Sequence, residues 1–594
     1  MVQHFILKGL NPYIEERDIK KAIEKLYGEV DYKSTLETIE ICEDVEEIGS
    51  SAFYSCRNLI AVLPYNQSYF KSEDEKPHEK YTDFCEFKEL EIIGDFAFQF
   101  CEKLRVHRVL KFNDKLKEIG SSAFQGCKSI RAVDLRNLKD DIIIGRGAFY
   151  DCDISSAVFP KHITYLPAEL FAENRLESFK IPETVETIGE NVFKGCKLSG
   201  KMEVPQATKS IGSKAFAKCS ELESITLPSK LSSLGNACFM ECVSLREANL
   251  PSQMEEIPDD CFNGCKSLEH FTWPGNLKVI GKNAFQDCTS LTKLEIPEGV
   301  EKLKEGCFKG CSSLTTIKLP STIKEVEKKC FIGCKKLQTF ILPKEITTLP
   351  ENCCSNTAIT HIDLPDNITE IPEQCFSGCE NLQEIILHDK ITIIHGWAFS
   401  GCKSLNHLSL PSSLKEVGYH AFDGIINLKV TGSITRLIDK MFYECSALES
   451  IEIHAPISVI GRKVFEKCEQ LKEVVLPAGL SNIGERAFEG CKSLLNIDLP
   501  DNVVLGKEAF FDCDKKLIEN IKSQSAYAKQ PLEIQKELRG SFKARNKGRL
   551  FLIRLILGAI AVAIALEFLQ SVPFLYEIII GVIILGVIIY FILE

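Results

Sequence analysis

Apolar residues return along this chain in a fixed order, separated by polar ones. In residues 281–297, GKNAFQDCTSLTKLEIP, Ala284, Phe285 and Cys288 precede Leu291, Leu294 and Ile296, and Pro297 closes the unit. The same order ends at Pro228 in SKAFAKCSELESITLP and at Pro500 in ERAFEGCKSLLNIDLP. Counted on its aromatic, it falls at Phe53, Phe98, Phe124, Phe149, Phe171, Phe193, Phe216, Phe239, Phe262, Phe285, Phe308 and Phe331. It continues at Phe376, Phe399, Phe422, Phe442, Phe465, Phe488 and Phe510, with Cys354 in the same slot between Phe331 and Phe376. That makes 20 copies, and every step from Phe193 to Phe331 is 23 residues. A fixed period of this size predicts a solenoid.

One copy explains the coil. From Leu291 to Ile296, apolar and polar residues alternate, which predicts a short strand with one face buried. Pro297 has no N–H for a further ladder bond and ends the strand. The run EGVEKLKEG turns the corner with Val300 and Leu303 inward. Cys307-Phe308 then opens a tight turn or short helix that leads to the next strand. A single coil cannot bury its apolar face alone, whereas stacked coils with strands ~4.8 Å apart can.

The pattern I-G-x-x-A-F-x-x-C-x-x-L-x-x-I-x-L-P, over residues 45–517, resembles the BspA-like class of leucine-rich repeats. The resemblance implies an α/β repeat fold, a solenoid of about 20 parallel-stranded coils. It also implies a surface-antigen or adhesin-like protein that binds host or matrix proteins. Repeat architecture by itself implies only a binding surface.

The flanks depart from the period. Residues 1–44 are expected to cap the first coil, with a helix over 11–28. Asn11 suits the N-cap, Pro12 the first turn and Gly28 the end, and Ile14, Ile19, Ala22, Ile23 and Leu26 form one apolar face. The opening MVQHFILKGL has no long apolar core and no cleavage site, so it is not read as a signal peptide. Residues 65–90 are an insertion, charged in the middle, expected to be a solvated loop. Residues 518–549 read as a basic linker. Beyond it, 550–569 and 574–593 are two apolar segments about ~20 residues long, enough to span a bilayer as a helical hairpin. Ile578 to Leu593 is sixteen apolar residues without a break.

Charge and cysteine content narrow the function. The formal net charge of −12 disfavours nucleic acid as a partner. Of the 26 cysteines, seventeen sit three residues after the aromatic slot. Six more, Cys238, Cys261, Cys307, Cys330, Cys353 and Cys375, sit just before it, where other copies carry mostly Ala. A slot that accepts Ala or Cys wants a small buried side chain. Disulfides stay open as a second reading, and the C-x3-C pairs, such as Cys238/Cys242 and Cys307/Cys311, keep a structural metal open as a third. No P-loop, G-x-S-x-G or H-E-x-x-H is present, so no enzyme and no cofactor is expected. The candidate protein-binding positions lie on the concave strand face: Thr226, Asn249, His270, Thr272, Glu295, Lys318, His361, Asp363, His407 and Ser409. The three histidines share a strand column but belong to coils at least two apart, so they cannot share a metal ion.

Two functions follow. One is a membrane-anchored, adhesin-like protein displayed at a cell surface, with sequons at Asn66 and Asn367 open to glycosylation. The other is a membrane-tethered scaffold whose repeats face the cytosol. Lys529 to Arg554 carries eight basic and two acidic residues, net +6, and such flanks prefer the cytoplasmic side.

Overall fold

The computed structural model describes residues 3–7, 12–65 and 81–539. The chain divides into two compact units, Met1–Phe422 and Asp423–Glu594. Each is a stack of parallel-strand coils, sixteen aromatic slots in the first and four in the second.

The coils are joined first at the aromatic turn. The Phe285 N–H donates to the Cys307 carbonyl at 2.8 Å, while Asn283 and Asp287 donate to Glu305 and Lys309 at 2.9 and 2.7 Å. The N–H groups between them, on Ala284, Gln286 and Cys288, stay within their own coil on the carbonyls of Gly281, Asn283 and Phe285. The residues two before and two after the aromatic are left-handed: φ is +50° at Asn283 and +57° at Asp287. The same two slots are left-handed in copy after copy, and glycine takes many of them, as at Gly264 and Gly333. Elsewhere an ordinary L-residue holds that conformation at a cost of about 1–2 kcal/mol.

The rings stack along this ladder. Centroids from Phe53 to Phe331 are 5.1–6.4 Å apart. Cys354 interrupts the series, which resumes from Phe376 to Phe422. In the second unit Phe442, Phe465, Phe488 and Phe510 stack at 5.0–5.5 Å.

Two strand ladders run beside the turn, and both break where a residue forces it. In the two-residue ladder, the residue after each strand donates its N–H to the preceding coil, as Gly212 does to Ile188 at 2.8 Å. Pro167, Pro258, Pro350 and Pro372 occupy that slot in four copies and have no N–H to give. The ladder stops at Ile144, Leu234 and Val326 and restarts at Tyr165, Glu256 and Glu370. On the other ladder, the strand face, the middle residue points into the core. It is aliphatic in most copies but Phe at 179, 271 and 340. Among the described residues of the first unit, the face ladder has gaps after Tyr65, Val158, Thr272 and Ile341. The last three of these gaps each adjoin one of those phenylalanines.

The flanks differ from expectation at four points. The N-terminal helix is Glu16–Tyr27, not 11–28, because Tyr13–Ile14 is a strand paired with Glu47–Ile48. Asn11 lies outside the described residues. Asp18 takes the Glu15 N–H at 3.2 Å, Gly28 ends the helix at φ +75°, and Ile19 and Ile23 are buried while Leu26 is 67% exposed. Residues 81–90 of the expected loop are core: Thr82 and Phe84 bridge to Val106 and Phe112, and Phe84, Phe87 and Leu90 are buried. Residues 66–80 lie outside the described residues.

The expected linker is, up to residue 539, a second cap. Asp514 caps the helix Lys515–Ser523. Gln524 and Gln530 accept the N–H groups of Leu499 and Leu505, both at 2.8 Å, and Glu537 accepts that of Glu508 at 2.9 Å. Their side chains take the place of a missing next coil. The expected spanning segments at 550–569 and 574–593 lie outside the described residues. Among those described, no helix is long and apolar enough to cross a membrane.

Two stability tests follow. Phe285 stacks on Phe262 and Phe308, both at 5.4 Å, so Phe285→Ala should cost about 3–5 kcal/mol in urea unfolding. The exposed neighbour change Thr292→Ala should stay within about 0.5 kcal/mol. At Gly333, φ is +76° and an added Cβ would meet only Gly310 atoms at 3.7–3.8 Å. Gly333→Ala should therefore lose about 1–2 kcal/mol from backbone conformation alone.

Candidate functional site

The strand face places the candidate residues in register. Thr226, Asn249 and Thr272 stand side by side on Leu222–Thr226, Glu247–Asn249 and His270–Thr272. Between them lie buried Ile225 and Ala248 and half-buried Phe271, so the outward side chains are set by a fixed floor. His270 adjoins Glu247 in the neighbouring column. Glu295 and Lys318 are neighbours on Lys293–Glu295 and Thr316–Lys318. The ladder gap after Thr272 separates this group from the first.

His361 and Asp363 belong to no strand and bond to each other, Nε2 to Oδ1 at 2.8 Å. His407 stands beside Glu384 in register and its Nδ1 meets the Glu384 carboxylate. Ser409 pairs with Ile386. His361 and His407 thus each meet a carboxylate rather than another histidine.

Two outward positions of the same column are apolar. Ile341 is 62% exposed and Ile386 53% exposed, both in the Thr226 column. Their column index was the available signal; their exposure follows from the alternation that buries Phe340 and Ile385.

Most of the cysteines form a hydrogen-bonded column. Fifteen cysteines three residues after the aromatic slot donate their S–H to a carbonyl of the preceding coil's slot. Cys288 donates to Phe262 at 3.2 Å and Cys311 to Phe285 at 3.2 Å. Of the copies without cysteine, Asn174 keeps this bond, giving its amide to the Phe149 carbonyl at 2.7 Å; Thr357 gives its hydroxyl to the carbonyl of its own coil's slot, Cys354, at 2.8 Å; and Ile425 has no donor. In most copies the slot thus supplies a small donor to a buried carbonyl, where phasing alone reads only a small apolar side chain. Among the described residues no cysteine is in a disulfide, and no three His, Cys, Asp or Glu side chains are grouped to hold a metal ion. Burial pushes the thiols of Cys152, Cys196, Cys242 and Cys334 from 9.0 up to about 12.

Comparison with known proteins agrees with this architecture. Residues 11–71, 79–199, 142–269, 198–315, 255–383, 303–429, 369–461 and 435–529 match the family described as BspA type Leucine rich repeat region (6 copies). No curated protein matches the chain. Among solved structures, a leucine-rich repeat protein from Bacteroides ovatus is 21% identical, with 81% of this chain and 85% of that chain covered and a TM-score of 0.30. A leucine rich cell surface protein from Faecalibacterium prausnitzii is 20% identical, with 76% and 88% covered and a TM-score of 0.19. The pneumococcal vaccine antigen PcpA is 16% identical, with 69% and 82% covered and a TM-score of 0.26.

Thiol chemistry tests the cysteine column. Cys42 is partly exposed, Cys85 is exposed and the other 24 cysteines are buried. A thiol reagent should therefore label two sites quickly in the native protein and all 26 once it is unfolded without reductant. Fast labelling of many sites would contradict the burial. The pH dependence has a fixed sign. Below about pH 9 folded and unfolded thiols are both protonated and the stability is full; above it the unfolded chain loses protons that the folded one keeps. Each thiol held near 12 then lowers stability by about 1.4 kcal/mol per pH unit between about 9 and 12. The urea midpoint should fall steeply from pH 8.5 to 10.5, and a flat profile would contradict it.

Proposed function

The chain belongs to the BspA type leucine-rich repeat family, and from that we propose a non-enzymatic binding protein that takes up other proteins on its strand face. The observation that carries the reading is the contrast within each strand. Ile225, Ala248, Leu294 and Ile317 are buried, while Thr226, Asn249, Glu295 and Lys318 beside them are exposed. A floor held by buried residues presents outward side chains of mixed polarity and charge, with Ile341 and Ile386 as apolar anchors. Such a surface suits protein partners. In the first reading these are host or matrix proteins, and the protein is anchored in a membrane by residues 550–593 and displayed at a cell surface. The acidic net charge argues against nucleic acid.

A second reading keeps the membrane tether but turns the repeats toward the cytosol, as a scaffold for protein–protein interaction. The net +6 flank from Lys529 to Arg554 and a core of 24 buried cysteines favour it.

Two experiments separate these statements. The full chain should bind members of an immobilised panel of extracellular matrix proteins, and Ile341→Arg with Ile386→Arg should weaken that binding at least tenfold; equal binding by the variant removes the face from the account. Protease added to intact cells should shave the repeats in the first reading and spare them in the second. A glycan on Asn367, which is exposed, would likewise exclude the cytosolic reading.

A further inference from the structure

We infer that a cleft between the coils of Glu177–Glu183 and Leu198–Gln206 takes up an extended peptide as an added strand. The cleft holds about 540 Å³, within the roughly 300–1,000 Å³ of ligand-sized sites. It shares only Thr226 with the face proposed above and does not depend on that reading.

The opening has a cause in the sequence. Phe179 takes the middle face position, and its ring packs 5.8 Å from Phe171 and 5.2 Å from Phe193. Phe159 packs edge-on against both Phe171 and Phe179. The two extra rings wedge the stack: Phe171 and Phe193 are 6.4 Å apart, against 5.4 Å for Phe193 and Phe216. The Ser199 N–H still reaches the Glu177 carbonyl at 2.9 Å. Beyond it, among the described residues, no backbone bond joins Ser178–Ile181 to the strand Gly200–Glu203. That strand pairs with Leu222–Thr226 on one side only, and its register shifts between Gly200 and Lys201. One wall of the cleft is thus a strand edge without a ladder partner.

A strand edge is a template for another chain, and its main-chain groups bind whatever backbone is laid along it. The floor, made of Phe179, Ile181, Met202 and Val204, is buried and apolar, suited to alternate side chains of an extended segment. The rim adds a charge preference. Lys180 is engaged by Glu183 at 3.3 Å, whereas Glu177 and Glu203 form no ion pair among the described residues and outnumber Lys201. The occupant is accordingly an extended peptide with alternating apolar side chains and a basic residue at the rim.

The test is a selection of random eight-residue peptides on the full chain, in parallel with Ser178→Trp, which fills the cleft from an exposed position. Peptides retained by the wild type and lost on Ser178→Trp should be enriched in Lys or Arg, and Glu203→Lys should shift the enrichment toward acidic residues. N-methylation of a selected peptide at alternate amides should weaken binding at least tenfold. The inference is overturned if no peptide distinguishes the wild type from Ser178→Trp, or if the N-methylated peptide binds equally well. It is also overturned if sedimentation of the wild type alone shows a dimer that Ser178→Trp abolishes, because the cleft then seats a second copy.

Discussion

Within each unit the stack depends on one backbone arrangement: alternate N–H groups at the aromatic turn reach forward to the next coil while those between them fold back. The coil around Cys354 shows that this arrangement outranks the others. It has lost the aromatic ring, and among the described residues no strand is formed between Ile341 and Glu370. The turn ladder nevertheless enters it from Lys329, Phe331 and Gly333 at 3.0, 3.0 and 2.8 Å. It leaves from Asn352, Cys354 and Asn356 at 3.1, 3.0 and 2.7 Å. Ring stacking and strand pairing add to the ladder but do not define it. The left-handed residues that permit it are a conformational cost repeated through the stack, and forward bonds between closely stacked coils offset that cost.

Because the turn holds the stack, the strand face is free to vary. Both strand ladders are interrupted, one at prolines in four copies and the other in part beside phenylalanines, without ending the solenoid. The interruptions divide the face into short rigid panels, such as Thr226–Asn249–Thr272 and Glu295–Lys318–Ile341. They also open the cleft beside Gly200–Glu203. Variation that would destroy an ordinary sheet here only reshapes the exposed face. Fifteen of the buried thiols follow the same division: they serve the turn, satisfying its carbonyls.

The repeat was legible in the sequence because its spacing is strict: Phe285, Cys288, Leu291 and Pro297 recur in phase, and the coil follows from burying them. The face columns were legible for the same reason, since alternation about Ile225 or Leu294 decides which side chains point outward. Other features depend on contacts between coils, which a single copy does not reveal. The thiol bond from Cys288 to Phe262 crosses 26 residues, and only Asn174 and Thr357, polar in a cysteine slot, hint that the slot holds a donor. Phe84 and Phe87 were submerged in a charged stretch. Gln524, Gln530 and Glu537 look like linker residues until the last coil is seen to present N–H groups with no successor to receive them.

Residue-resolved hydrogen exchange on the Cys354 coil tests the central claim most directly. The account predicts that the amides of Lys329, Phe331, Gly333, Asn352, Cys354 and Asn356 exchange as slowly as those of Asn283, Phe285 and Asp287. The amides of 360–363, on the interrupted face, should exchange fast. If the turn amides around Cys354 exchanged as fast as 360–363, the ladder would depend on rings and strands, and the account would be contradicted.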